Sequence, residues 1–270
     1  AANRPTRLTT HGLAMPLPRV LADLPVSDDV LELVAGRVEL VPWEAPAGPL
    51  DAVYTYGHPT VAADLLDRLP GVRVISNFGV GVDHIDLAAA AARGIPVGNT
   101  PGILDGATAD LAFALLLAAA RRVAEGDRYA RGPEFTRYDP SLMLGREVHG
   151  STLGIFGMGR IGRQVAARGR GFGMTVLYHN RNRSEEAEIA LGARYAAKDE
   201  LLAHSDYVVL TVPLTPETRG FIGRAELASM KPTATLVNVA RGAVEAKDAL
   251  TDALVGRTLH AAALGVTDPE

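Results

Sequence analysis

A glycine-rich segment of this 270-residue sequence has the residue types and the spacing of a functional site. Gly157, Gly159 and Gly162 follow an apolar run and open a helical pattern, which is the context that the G-x-G-x-x-G spacing requires. Gly157 would permit a tight turn, Gly159 the approach of a pyrophosphate, and Gly162 close packing of helix on strand. We therefore predict a dinucleotide site formed by Gly157, Met158, Gly159, Arg160, Ile161 and Gly162. The alternative is a βα turn that is merely rich in glycine.

The end of the next predicted strand bears on which dinucleotide is bound. NAD-binding units usually carry Asp or Glu there, whereas here no acid occurs before Glu185. Asn180 removes the charge that would repel a 2′-phosphate, and Arg181 and Arg183 could hold that phosphate with charge-assisted hydrogen bonds. Together with Asn182, these residues favour NADP as the cofactor. If both arginines are ordinary surface residues, NAD is the alternative.

The elements that must position these residues alternate between short apolar strands and helices. After Gly150 the strands are continuous apolar runs, as expected for parallel strands covered on both faces. We predict an α/β fold: a doubly wound parallel-sheet dinucleotide-binding (Rossmann) domain over 99–270, preceded by a smaller flavodoxin-like substrate domain over 1–98. The predicted strands are 38–41, 52–54, 72–76, 152–156, 175–178, 207–212 and 235–239. One long helix is predicted from about Gly106 to Tyr129, and 132–150 is predicted to be an extended arm.

The composition excludes several classes of function. The net charge of −4 argues against a nucleic-acid surface, and the sequence contains no cysteine for thiolate catalysis or thiolate metal sites. The first twelve residues lack the apolar core of a signal peptide. The most apolar run, 111–120, is too short to cross a membrane and is expected to be a buried helix. A cytoplasmic protein without a metal site is the resulting expectation.

Several motifs together resemble the D-isomer-specific 2-hydroxyacid dehydrogenases, particularly their glyoxylate/hydroxypyruvate reductase branch. The resemblance covers roughly Val72 to Glu270, whereas the first fifty residues match only loosely. Besides the glycine turn, its motifs are Gly79-Val80-Gly81-Val82-Asp83-His84-Ile85-Asp86, Asn99-Thr100-Pro101-Gly102, Ala107-Thr108-Ala109-Asp110, Val212-Pro213-Leu214-Thr215, Asn238-Val239-Ala240-Arg241-Gly242 and Val266-Thr267-Asp268-Pro269-Glu270.

The resemblance implies hydride transfer between a nicotinamide cofactor and a short 2-oxo acid. Arg241 follows a buried parallel strand, where its fork could bind the substrate carboxylate and polarise the carbonyl oxygen. Glu270 matches the family's carboxylate that pairs with a catalytic histidine and keeps that ring protonated. The resemblance assigns the substrate carboxylate also to the backbone amides of Val80 and Gly81. It places the following residues at the cofactor: Thr108, Val212, Pro213, Val239, Ala240 and Arg241. For Thr108, an ordinary helix-start role is equally compatible.

Two features depart from the family pattern. The catalytic histidine is expected in a Pro-His segment beyond Glu270, so the C-terminal part of the second domain is expected to be missing from this sequence. None of the seven histidines present occupies that motif. The family usually has Asp where this chain has Gly265, as a partner of the nicotinamide carboxamide. Glycine removes that hydrogen bond and is expected to lower the rate more than the affinity.

The leading hypothesis is an enzyme that reduces glyoxylate, hydroxypyruvate or a similar 2-oxo acid with NADPH. A non-catalytic, dinucleotide-binding interaction protein with the same fold is the rival, favoured by Gly265 and by the absent histidine motif. A dehydrogenase for a bulkier substrate is a third possibility. The long helix and the arm suggest a homodimer by analogy with the family. The active site is expected in a cleft between the two domains, with hinge closure on binding.

Overall fold

The computed structural model describes residues 16–23, 25–44, 46 and 48–269. The chain divides into two compact units, Ala1–Thr100 and Pro101–Glu270. The division falls two residues after the boundary that the sequence predicts.

The first unit is a five-stranded parallel sheet with helices between its strands. Its elements are β1 (Arg19–Ala22), α1 (Asp28–Val34), β2 (Glu39–Pro42), β3 (Ala52–Thr55), α2 (Ala63–Arg68), β4 (Val74–Asn77), α3 (Leu87–Ala92) and β5 (Val97–Gly98). The strand order is β2-β1-β3-β4-β5, and every pair is parallel. This is the order of the flavodoxin-like doubly wound sheet. The strands β2, β3 and β4 lie within two residues of the predicted ones.

The second unit is a six-stranded parallel sheet. Its elements are α4 (Asp105–Ala120), α5 (Val123–Arg131), β6 (Thr152–Phe156), α6 (Arg160–Gly171), β7 (Thr175–His179), α7 (Glu185–Leu191), β8 (Arg194–Tyr195), α8 (Lys198–His204), β9 (Tyr207–Leu210), α9 (Arg224–Ser229), β10 (Thr235–Asn238), a 3₁₀ turn (Gly242–Val244), α10 (Lys247–Val255) and β11 (Ala261–Leu264). The order β8-β7-β6-β9-β10-β11 is that of a dinucleotide-binding Rossmann sheet. The predicted fold class is confirmed.

Both faces of this second sheet are buried, which explains its continuous apolar strands. Along β9, Tyr207 and Val209 join one apolar cluster, whereas Val208 and Leu210 join another on the opposite face. Successive side chains of a strand point to opposite faces, so a strand between two helix layers needs apolar residues at every position. The carboxyl ends of the strands therefore remain the accessible edge for a ligand.

The helix predicted over 106–129 is two helices, so that prediction is wrong in its continuity. Arg122 adopts a left-handed φ of 54°, which ends one helix and starts the next. The carbonyl of Ala120 accepts a hydrogen bond from the amide of Arg146 at 2.7 Å, because the arm crosses the helix end there. Gly145 permits the crossing, since a Cβ at this position would lie 2.6 Å from the Ala120 carbonyl oxygen. Residues 132–150 contain no helix or strand, as expected of an arm.

The apolar run 111–120 belongs to α4 and is buried on one face only. Ala112, Phe113, Leu116 and Ala120 lie in the core, whereas Leu111 is 46% exposed. In the described part of the chain, no helix is long and apolar enough to cross a membrane.

Candidate active site

The glycine turn lies between β6 and α6, as the spacing predicts. Gly157 has a left-handed φ of 99°, and a Cβ at Gly162 would lie 1.9 Å from the carbonyl oxygen of Gly157. These two glycines are therefore required by the turn and by the close passage of the helix over it. Around Gly159, which precedes the first residue of α6, an added Cβ would meet nothing within 4 Å. The open space lies where the amides of the first helical turn have no partner within the helix, so the turn fits a pyrophosphate.

The remaining residues of the turn divide between core and surface. Met158 is buried in the apolar cluster beside α4, and Ile161 packs against the same cluster. Arg160 is exposed, and its guanidinium lies near the chain at Gly102. Arg160 is thus the member of the turn that has a charged side chain available to a ligand.

Thr211 also belongs to this turn, and sequence reasoning missed it. Its hydroxyl donates to the carbonyls of Gly157 at 2.7 Å and Phe156 at 3.1 Å, which ties the end of β9 to the glycine turn. The adjacent Val212 is half-buried and Pro213 is exposed, so both lie at the same sheet edge as the turn. The position of Thr211, directly before the Val-Pro motif, was the available signal.

The two arginines after β7 have different partners. Arg183 makes two hydrogen bonds of 2.7 Å to Glu188, which also accepts from the buried Tyr178 hydroxyl at 2.8 Å. The pKa of Glu188 is accordingly lowered, mainly by Arg183. Arg181 is exposed and has no hydrogen bond or ion pair to any residue that the structure describes. Of the two, Arg181 is therefore the guanidinium available to a phosphate.

The loop that carries these arginines is anchored at both ends. Tyr178 accepts a hydrogen bond from the amide of Ser184 at 2.7 Å, and the side chain of Asn180 donates to the carbonyl of Asn182 at 3.2 Å. Arg181 also contributes to lowering the pKa of Glu217, after a larger effect of a hydrogen bond from Thr215. Arg181 is thus close enough to the segment after β9 to interact with Glu217 electrostatically.

Arg241 lies three residues beyond β10, at the carboxyl edge of the same sheet. The half-buried side chain donates from Nη1 to the carbonyl of Ala240 at 2.8 Å. The turn is shaped by Asn238, whose Oδ1 accepts from the amide of Ala240 and whose Nδ2 donates to the carbonyl of Arg241, both at 2.8 Å. Val239 is buried against α4 on the core side of this turn.

Glu245 is a second residue that sequence reasoning did not single out as part of the site. It is only 6% exposed, and its carboxylate accepts a hydrogen bond from the Nδ2 of Asn238. Burial raises the pKa of Glu245 to about 7, and the nearby Asp268 contributes to the increase. Asn238 therefore links the backbone of the Arg241 turn to a buried carboxyl group.

The segment after β11 packs directly against this turn. A Cβ at Gly242 would lie 2.2 Å from the carbonyl oxygen of Thr267, so only glycine allows the contact. The amide of Gly265 donates to the carbonyl of Asn238 at 2.8 Å. A Cβ at Gly265 would face apolar side chains of Leu111, Leu115 and Val239 at 3.3–3.4 Å. Glu270 lies outside the described residues.

The remaining predicted residues lie elsewhere in the fold. Thr108 is half-buried in the first turn of α4, where its amide donates to the Leu104 carbonyl at 2.8 Å. Val80 and Gly81 belong to the first unit, in the loop after β4 at the carboxyl edge of that sheet. His179, at the end of β7, is half-buried, and its Nδ1 lies 3.0 Å from the carbonyl of Ala196. Among the residues described, no cluster of acidic and histidine side chains could hold a metal ion.

Comparison with known proteins identifies the family. Residues 113–270 match the family model described as D-isomer specific 2-hydroxyacid dehydrogenase, NAD binding domain. The glyoxylate reductase of Aeropyrum pernix is 43% identical over 95% of this chain and 81% of its own length. That of Thermococcus litoralis is 41% identical over 94% of this chain and 81% of its own length.

Solved structures agree with this relationship. The NADPH-dependent glyoxylate/hydroxypyruvate reductase of Sinorhizobium meliloti, in complex with NADP and malonate, superposes with a TM-score of 0.84 at 31% identity, over 93% of this chain and 79% of its own. The D-lactate dehydrogenase of Aquifex aeolicus, in complex with NAD and lactic acid, gives 0.85 at 29% identity, over 92% and 77%. The chain therefore belongs to the D-isomer-specific 2-hydroxyacid dehydrogenase family, in the branch that contains the glyoxylate reductases, and is an NAD(P)-dependent dehydrogenase.

Proposed function

We propose that this enzyme reduces glyoxylate, hydroxypyruvate or a similar short 2-oxo acid to the D-2-hydroxy acid, with NADPH as the preferred cofactor. The observation that carries the proposal is the arrangement at the carboxyl edge of the second sheet. There the open glycine turn, the exposed Arg181 and the Arg241 turn follow β6, β7 and β10 of one sheet. The relatives named above support the substrate class.

Each group at this edge has a defined task in the proposal. The nicotinamide cofactor supplies the hydride when bound. The first turn of α6 holds the pyrophosphate, and Arg181 binds the 2′-phosphate that distinguishes NADP from NAD. Arg241 binds the oxo acid and polarises its carbonyl oxygen, which favours the negative charge that develops there. Glu270 matches the family's carboxylate that pairs with a catalytic histidine, and its task is to keep that histidine protonated, so that the histidine can give its proton to that oxygen.

In the first unit, we propose that the backbone amides of Val80 and Gly81 bind the substrate carboxylate. Backbone N–H groups in a turn form concave sites for anions, and they recognise a carboxylate without adding a charge of their own. A carboxylate held at fixed amides would also favour short 2-oxo acids, because the group next to the carboxylate is then the reacting carbonyl.

The first experiment measures NADPH oxidation at 340 nm with glyoxylate and with hydroxypyruvate, with NADH in parallel. Turnover with a higher kcat/KM for NADPH supports the proposal, and chiral analysis of the product should show the D-isomer. Equal kcat/KM for the two cofactors would contradict the role of Arg181. Cofactor binding without turnover of any 2-oxo acid would instead support the rival interaction protein, which Gly265 favours because it offers no side chain to the nicotinamide carboxamide.

We also propose that the chain forms a homodimer through the arm. Four large apolar side chains of the arm are exposed: Phe135, Tyr138, Leu142 and Leu144. Tyr138 is 83% exposed and Leu144 is 70% exposed. A dimer interface at the arm would remove these apolar side chains from water. Light scattering should give twice the monomer mass, and Leu144→Glu should reduce it to the monomer mass.

A cytoplasmic location is part of the same proposal, and the absence of cysteine from the sequence is compatible with it.

A further inference from the structure

The loop after β4 has its backbone held in one orientation by side chains of the first unit. Asn77 is the central residue of this arrangement. Its Nδ2 donates to the carbonyls of Gly79 at 2.7 Å and Gly81 at 2.8 Å, and its Oδ1 accepts from the Thr55 hydroxyl at 2.7 Å. Asn77 and Thr55 are register partners at the ends of β4 and β3, and both are buried. The side-chain amide is therefore fixed by the sheet before it reaches the loop.

Asn99 and Thr100 bind the other two carbonyls of the loop, those of Val80 and Phe78. The Nδ2 of Asn99 donates to the carbonyl of Val80 at 2.8 Å, and the Oγ1 of Thr100 donates to that of Phe78, also at 2.8 Å. The carbonyls of residues 78–81 are thus all paired with side-chain donors. These donors come from two segments of the chain, one at the end of β4 and one directly after β5.

Fixing a carbonyl also fixes the amide in the same peptide unit. In a planar trans peptide the N–H points away from the C=O, so carbonyls held at residues 79, 80 and 81 turn the amides of Val80, Gly81 and Val82 in the opposite direction. None of these three amides donates a hydrogen bond to any residue in the described part of the chain. The loop therefore presents three consecutive unpaired N–H groups, which is the chemistry of an anion site.

We propose that Asn77 and Asn99 are positioning residues that orient these amides toward the substrate carboxylate. This inference rests on the proposed function, in which the amides of Val80 and Gly81 bind that group. Asparagine is required at position 77 because one side chain must donate two hydrogen bonds and accept one. An aspartate has nearly the same shape, but it has no N–H and would place negative charge against both carbonyls.

The test uses Asn77→Asp and Asn99→Ala in the full chain. A misdirected amide loses a hydrogen bond to a charged group, so the KM for glyoxylate and the inhibition constant of oxamate, an unreactive 2-oxo acid analogue, should rise together. We expect a rise of about 30-fold for Asn77→Asp and about 5-fold for Asn99→Ala, with kcat and the NADPH Kd changed by less than about 2-fold. A purely structural role would lower the active fraction, and therefore kcat, and leave KM unchanged.

Asn99 is exposed, so Asn99→Ala leaves the core intact and tests the inference even if Asn77→Asp folds poorly. The matched control is Arg68→Ala, which removes an exposed side chain paired with Asp64 in the same unit and should not change KM. If the wild-type enzyme reduces glyoxylate and Asn99→Ala has an unchanged KM, the inference is overturned and the proposed function is not. If wild-type enzyme reduces no 2-oxo acid, the proposed function is overturned and the inference with it.

Discussion

Replacing Glu245 by glutamine should change how stability depends on pH. Glu245 is buried beside the Arg241 turn, and burial together with Asp268 raises its pKa from 4.5 to about 7. Its hydrogen-bond donor is Asn238, and a glutamine oxygen can accept the same bond. The substitution therefore removes a titrating group and keeps the shape and the acceptor.

The magnitude follows from the difference between the two pKa values. Below about pH 4.5 the carboxyl is protonated in both states and contributes no penalty. As the pH rises from 4.5 to about 7, the unfolded chain releases the proton before the folded one does, so the stability of the wild type decreases through this window and levels off above it. At about 1.4 kcal/mol for each pKa unit, the full loss is at most about 3.5 kcal/mol.

The assay is urea unfolding at pH 5, 6, 7 and 8, followed by far-ultraviolet circular dichroism. Trp43, the single tryptophan, belongs to the first unit, so its fluorescence follows that unit separately. The free energy of unfolding of Glu245→Gln minus that of wild type should increase with pH. Glu200→Gln is the matched control: Arg194 lowers the pKa of this half-buried glutamate below 4.5, so this substitution should be slightly destabilising, with little change between pH 5 and 8. Parallel pH profiles of Glu245→Gln and wild type would refute the reasoning.

Three further predictions concern the cofactor and substrate groups. Arg181→Ser should raise the KM for NADPH about 10-fold or more and leave the KM for NADH unchanged. Arg183→Ser should raise the KM for NADPH less, because the Arg183 guanidinium is already paired with Glu188. Equal effects of the two substitutions in steady-state assays would contradict this assignment. Gly162→Ala should lower the free energy of unfolding by about 3 kcal/mol because its Cβ would collide with backbone, whereas Gly159→Ala should unfold like wild type and bind NADPH more weakly by fluorescence titration. Arg241→Lys should lower kcat/KM for glyoxylate about 100-fold, since an ammonium cannot reproduce the fork; retention of more than about a third of the wild-type value would exclude a bidentate role.

The parts of the fold that sequence reasoning predicted are those specified by local chemistry. The glycine turn could be read from the spacing because Gly157 and Gly162 are demanded by the backbone itself. The buried strands β6, β9 and β10 were found because burial on both faces leaves a run of apolar residues. Breaks within helices and strands at the edge of a sheet were harder to predict from the sequence. The strand β11 consists of Ala261-Ala262-Ala263-Leu264, residues that favour a helix, yet parallel pairing with β10 makes it a strand.

By itself, the sequence determined the fold class, the family and the residue types at the sheet edge, because those depend on periodicity and on short motifs. Only the tertiary structure decided which side chains are available to a ligand and which are already paired within the protein. Arg181 and Arg183 look equivalent in the sequence, but Arg183 is paired with Glu188. Asn77 reaches Thr55 across 22 positions, and Thr211 reaches Gly157 across 54. Such contacts form when strands distant in sequence become neighbours in a sheet, and no local pattern records that pairing.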